Sequence, residues 1–273
     1  MKIKEKTILM KKLYFLDSKK ELKRIEAKFD ETTALSQLLK MGFKNQKTFL
    51  DIGCGGGAMT RLVKKTFPKS RVIGVDSNPD RINFAKMKAK RLKLDITYIC
   101  ANVYSLPLNN NTIDFIWSRF LFEYLGQPLK ALTEMKRIAK INASVCVGDL
   151  DGNCMFHYPQ TKQFQHKLNL AVKKLSSFGF DPFIGRKLYS YFRKVGFKKI
   201  CVHIYPYHNI AGKIHQKALN NWTSKVDLIG DFLKKTSLNK SNFIGAFKKD
   251  FISFIKDPDT FTYSILIFVK GLK

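Results

Sequence analysis

Acidic side chains are scarce in this chain: 21 Asp and Glu stand against 50 Lys and Arg in 273 residues, a formal charge of +29. Such an excess attracts acidic partners and raises nonspecific nucleic-acid binding. Only nine of the cations are Arg, and the richness in Lys, Asn, Ile and Phe matches the amino-acid usage of an AT-rich genome, so composition alone is a second source of the charge. Long apolar runs are also missing. The longest, such as 264–269, are strand-sized, far short of the roughly 18 residues of a spanning helix, so no transmembrane segment is expected. Lys11 and Lys12 interrupt the apolar 8–10 before a signal-peptide core could form, which predicts a cytoplasmic protein. The five cysteines (Cys54, Cys100, Cys146, Cys154 and Cys201) are odd in number and scattered, with no C-x-x-C pair, so neither a disulfide framework nor a metal site is expected. No Pro/Gly/Ser-rich linker and no internal repeat divides the chain.

What is present describes a packed globular fold. Hydrophobic residues reach 45% and aromatics 13%, which excludes a disordered chain. Short β-branched runs at 48–52, 71–76, 96–100, 113–118 and 144–150 alternate with helical patterns at 58–67, 79–94 and 129–141, the mark of βαβ units around a parallel sheet. A helical stretch at 20–41 precedes this core. Helices at 161–178 and 185–195, a strand at 198–205, one or two amphipathic helices within 211–256 and a last strand at 261–269 follow it.

The chemistry concentrates at predicted strand ends. Phe49-Leu50-Asp51-Ile52-Gly53-Cys54-Gly55-Gly56-Gly57 runs an apolar strand into a glycine turn and a helix start, where the backbone can approach a ligand and helix amides face it. Gly53, Gly55 and Ala58 fit a dinucleotide fingerprint, but Asp51 places a carboxylate beside the loop, which suits a cationic amino group better than a pyrophosphate. Asp76, ending the second strand, can accept both hydroxyls of a ribose; its competing role is to cap the helix that Ser77 and Asn78 introduce. Asn102 after the third strand can read an adenine edge while Val103 or Tyr104 packs on the ring. An amine-binding acid, a ribose acid and a purine reader together describe an adenosyl amino acid.

This assembly resembles the class I S-adenosylmethionine-dependent methyltransferases over at least 14–205, with Leu106-Pro107 and Asp114 in the expected order. Asn102 replaces the family's usual Asp, and Asn142-Ala143 stands where paired glycines are common. The resemblance implies an α/β, doubly wound, mostly parallel seven-strand sheet whose last strand is antiparallel. It also implies an N-terminal helical lid (1–45), a Rossmann-like cofactor core (46–205) and a helical cap with the final strand (206–273). Tyr14, Asp17, Glu21 and Arg24 look like the lid of small-molecule methyltransferases, where such a Tyr and Arg approach the methionine end. The cofactor set is then Tyr14, Arg24, Asp51, Gly53, Cys54, Gly55, Asp76, Ser77, Asn102, Val103 and Arg119. Arg119, Phe120, Glu123, Tyr124, Asp149, Asp151, His157 and Tyr158 fall on the acceptor side; His157, Tyr124 and Tyr158 are the catalytic candidates, His157 as a general base in a loop.

The implied activity is methyl transfer to a small-molecule acceptor on O, N or C. RNA methylation is the alternative that the charge favours, but no Asn/Asp-Pro-Pro-Tyr/Phe motif, Pro-Cys nucleophile or separate RNA-binding module accompanies it, so nucleic acid is not the favoured partner. A non-catalytic adenosine-binding protein and an NAD-dependent enzyme are the remaining readings.

Overall fold

The computed structural model describes residues 18–45, 47–234 and 243–273, with the side chains of 153–155 excepted. Tyr14 and Asp17 lie outside the described residues.

Helices α1 (Lys19–Lys28) and α2 (Glu31–Lys40) lead into β1 (Thr48–Ile52), α3 (Ala58–Thr66), β2 (Arg71–Asp76), α4 (Pro79–Arg91), β3 (Thr97–Cys100) and β4 (Ile113–Arg119). A single 3-10 turn (Phe122–Tyr124), α5 (Pro128–Ile138), β5 (Ala139–Tyr158), α6 (Lys162–Ser176), α7 (Ile184–Val195) and β6 (Lys198–Ala211) follow. Then come α8 (Gln216–Lys234), α9 (Phe243–Lys256) and β7 (Phe261–Leu272). The sheet order is β3-β2-β1-β4-β5-β7-β6, and β7 alone runs antiparallel to its neighbours.

The parallel strands are apolar on successive residues because both faces are covered. In β1, Phe49 and Leu50 are both fully buried and point to opposite faces. Leu50, Ile52, Ile73 and Ile116 meet Leu132 and Met135 of α5 and Leu188 and Phe192 of α7. Phe49, Phe115 and Trp117 meet Leu38 of α2 and Leu62 and Val63 of α3. Fully burying each of these large side chains contributes about 1.5–3 kcal/mol. Strand order reverses at β1, whose two neighbours are β2 and β4, so a crevice opens beyond the carboxyl ends of β1 and β4, where open α/β sheets bind ligands.

Two departures from the sequence expectations and one helix–helix contact shape that crevice. The stretch 20–41 is two helices, because Asp30 caps α2 through a bond from the Thr33 amide and breaks the run after Phe29. Strand β5 extends to Tyr158, and β6 and β7 lengthen with it. The 205/206 boundary therefore falls inside β6. On this antiparallel extension, Phe164 of α6, Trp222 and Val226 of α8, and Phe251 and Ile255 of α9 form a separate apolar cluster. Finally, α8 lies against α1, with the Arg24 guanidinium donating to Asn221 Oδ1 at 2.7 Å.

Candidate cofactor and acceptor cleft

The glycine loop after β1 is tied to the next strand before any ligand arrives. The Gly53 and Cys54 amides donate to Val75 O at 2.8 and 2.9 Å, and the Gly55 amide donates to Asp76 Oδ2 at 2.9 Å. Gly57 takes φ +79° at the start of α3, and a Cβ there would lie 2.5 Å from Tyr98 OH, so no other residue fits the turn. At Gly55, with φ +54°, a Cβ would meet only Arg81 Nη1 at 4.0 Å. The space above that glycine is open to a ligand.

A cavity of about 680 Å³ lies over this loop, lined by the ends of β1, β2, β3 and β4, by α1, and by Lys225 of α8. Asp51 reaches it from β1 and is 4% exposed. No hydrogen-bond donor from a described residue reaches its carboxylate. Burial, opposed by Arg119 and reinforced by Asp76, raises its pKa from 3.8 to about 7. Asp76 also lines the cavity and accepts the Gly55 and Asn78 amides, one on each oxygen. The cap of α4 is Asn78, which accepts the Asp80 and Arg81 amides, so Asp76 is not the capping residue.

Ser77, Asn102 and Val103 complete the β2–β3 side. Asn102 Oδ1 accepts the Tyr104 amide at 3.0 Å, fixing the turn after β3. Arg137 of α5 holds the next residues by donating to the Leu106 and Leu108 carbonyls, while Glu134 accepts the Leu106 amide. Asp114 lies at the opposite, amino end of the sheet, bonded to the Thr48 amide and Lys140. Asn142 adopts φ +63°, the left-handed conformation that Asn tolerates better than most residues and that a glycine would meet without strain.

The other end of the cavity is charged. Glu21, fully buried, is bridged by Arg24 through two bonds of 2.6 Å. Lys28, one turn further along α1, donates to Tyr207 OH at 3.3 Å. Arg119, at the end of β4, donates to Gln37 Oε1 at 3.1 Å. Phe29, Phe120, Glu123 and Tyr124 line the same end.

Of the residues expected at the site, Arg24, Asp51, Gly53, Cys54, Gly55, Asp76, Ser77, Asn102, Val103, Arg119 and Tyr124 all line the cavity. Four acceptor-side expectations do not. His157 is in β5, not a loop; its Nδ1 is 2.6 Å from Thr262 Oγ1 and its ring packs against Phe164 and Phe254. Tyr158 is 75% exposed at the strand's end. Asp151 is consumed by Arg186, with contacts of 2.8–3.1 Å. Asp149 is fully buried beneath the cavity wall, accepts the Glu123 and Leu150 amides, and burial beside Glu123 pushes its pKa well up. The long β5 accounts for three of these, since it carries residues 151–158 along the sheet extension, whereas Asp149 stands within the expected strand and is simply buried. Lys28, Phe29 and Lys225 were not anticipated. Lys28 had a signal, because it sits four residues after Arg24 on one helical face; Lys225, in a generic amphipathic helix, had none.

A reversed-order parallel sheet, a glycine turn after β1 and carboxylates at the ends of β1 and β2 define the class I methyltransferase fold. Residues 50–147 match the family model for the methyltransferase domain, and the chain carries a class I S-adenosylmethionine-dependent methyltransferase domain. It is 31% identical over 164 residues to an uncharacterised methyltransferase of Schizosaccharomyces pombe, covering 57% of this chain and 58% of that protein. It is 29% identical over 127 residues to the 2-phytyl-1,4-naphtoquinone methyltransferase of Trichormus variabilis, covering 45% and 53%. The chain thus spans less than two thirds of these relatives' lengths. Its fold is similar to that of Haemonchus contortus phosphoethanolamine N-methyltransferase 2, solved with phosphomonomethylethanolamine and S-adenosylhomocysteine. The TM-score is 0.58 at 19% identity, covering 89% of this chain and 52% of that one.

Proposed function

We propose that this protein transfers the methyl group of S-adenosylmethionine to a small-molecule acceptor. The observation that carries the reading is Asp51, a buried carboxylate with no donor from the described residues, facing the cavity. A buried carboxylate so placed is costly unless a ligand supplies the donor, and the cofactor's ammonium is such a donor. Asp76, its carboxylate held by the Gly55 and Asn78 amides, stands at the end of β2 where it would face a ribose diol, and Asn102 and Val103 stand where the adenine would lie. The open space above Gly55 lets the cofactor lie against the loop backbone.

The reaction asks for geometry more than for acid or base. The acceptor's lone pair forms the new bond to the methyl carbon as the carbon–sulfur bond breaks, and the sulfur keeps that electron pair. A proton on the acceptor then leaves to water. Holding acceptor and sulfonium in line can supply about 7–11 kcal/mol of the barrier. A cavity of about 680 Å³, roofed by α1 and α8, suits two small ligands. It does not suit a polynucleotide.

Calorimetry with S-adenosylhomocysteine tests the reading. The wild type binds it and not NAD, and Asp51→Asn loses at least tenfold in affinity, since a charge-assisted bond contributes about 1.5–3 kcal/mol and about 1.4 kcal/mol is tenfold. Tight NAD binding without a response to S-adenosylhomocysteine overturns it.

A further inference from the structure

We infer that the acceptor is an organic anion whose oxyanion sits against Lys28 and Arg119, with its body on Phe29 and Phe120. The inference rests on the methyl-transfer reading and names the substrate class of that same cavity.

Lys28 from the last turn of α1 and Arg119 from the end of β4 converge on one aromatic ring. Lys28 Nζ is 5.1 Å from the Phe120 centroid and the Arg119 guanidinium carbon is 5.0 Å from it, with Phe29 5.5 Å from Arg119 on a further side. Tyr207 lies behind, its ring 5.7 Å from Lys28 Nζ. Each cation has only neutral partners at contact distance, Tyr207 OH for Lys28 and Gln37 Oε1 for Arg119. Among the described residues, no carboxylate oxygen lies within 4.0 Å of either. Ring faces recover less than full pairing with an oxyanion in a desolvated cavity.

Of the neighbouring acids, Glu21 is bridged by Arg24, and burial beside Glu123 pushes the Asp149 carboxyl well above the usual carboxylate range. Lys225 brings another cation to the same cavity. Loss of hydration on burial, with repulsion from Arg24 and Arg119, holds the Lys28 ammonium down at about 8, against the pull of Glu21 and Glu123. The cofactor does not relieve the imbalance, because its ammonium takes Asp51 and its own carboxylate offsets its sulfonium. An anion on the acceptor supplies the missing charge, and the aromatic walls accept its apolar part. Carboxylate and phosphate share this chemistry.

The test uses the full chain saturated with S-adenosylhomocysteine, titrated calorimetrically at pH 7 in low-chloride buffer with benzoate, phenyl phosphate and neutral benzamide. At least one anion binds tenfold or more tighter than benzamide, and the preferred one identifies carboxylate or phosphate. Lys28→Met lowers that affinity about tenfold without changing binding of S-adenosylhomocysteine or benzamide, and Lys28→Arg restores most of it. Anions no tighter than benzamide, no binding by any of the three, or equal anion binding by Lys28→Met overturns the inference while leaving the methyl-transfer reading in place. Failure of S-adenosylhomocysteine itself to bind removes both.

Discussion

Asp51 shows how one residue carries information that its neighbours in sequence do not. A glycine-rich turn after a strand serves several nucleotide ligands, and the carboxylate decides among them because the fold buries it without a donor from the described residues. Its pKa of about 7 exceeds the ordinary 3.8, so the native ligand-free state binds a proton more tightly than the unfolded chain. Stability is therefore greatest below about pH 4 with respect to this group and is lost as pH rises toward 7. A bound ammonium reverses the preference by favouring the carboxylate. Binding of S-adenosylhomocysteine between pH 6 and 7 should then release a proton, and affinity should rise with pH over that interval. Titrations in two buffers of different ionisation enthalpy measure the release; proton uptake, or none in wild type and Asp51→Asn alike, contradicts the assignment.

Elements were legible in proportion to how far local pattern and tertiary role agree. Strands β1 to β4 are apolar runs closed by Gly, Asn or Arg, and each stands within a residue of its expected span. The α2 start was written in Asp30 but masked by helical periodicity on both sides. Strand β5 was misread at Asp151-Gly152-Asn153, a strong turn signal. There Gly152 takes φ +67° and donates to Pro182 O, and Asp151 pairs with Arg186, so a bulge replaces the turn and the strand continues. Strand β6, expected over 198–205, runs on through Pro206 to Ala211. The strand is the sheet edge, where a missing N–H costs nothing. At the site the same rule holds: the carboxylates and glycines were readable, whereas the acceptor end depends on α8, which reaches α1 only through tertiary packing. Asn221→Ala should loosen that contact without unfolding the core. Amide exchange in α1 should accelerate severalfold while the sheet keeps its protection, and exchange that stays at the wild-type rate would show that the Arg24–Asn221 bond does not hold α1 down.

At the scale of the whole molecule, the tension is between a cleft of about 680 Å³ and a charge of +29. The two make opposite demands on a partner. Surface lysines attract any polyanion by counterion release, with an affinity that falls steeply with salt and carries no base information. The cavity's cations differ, because Lys28 and Arg119 line a concave cleft and act on what enters it. No helix among the described residues is long and apolar enough to cross a membrane. If the exterior charge is compositional, the protein binds random RNA weakly, binding vanishes by about 0.3 M salt, and labelled methyl groups do not enter RNA. Filter binding across a salt series with labelled S-adenosylmethionine measures both. Binding to structured RNA that survives that salt, or label appearing in RNA, would shift the acceptor from a small anion to nucleic acid. Anion selectivity that persists in the cavity at the same salt would show that its charge, unlike the surface's, is screened little by bulk ions.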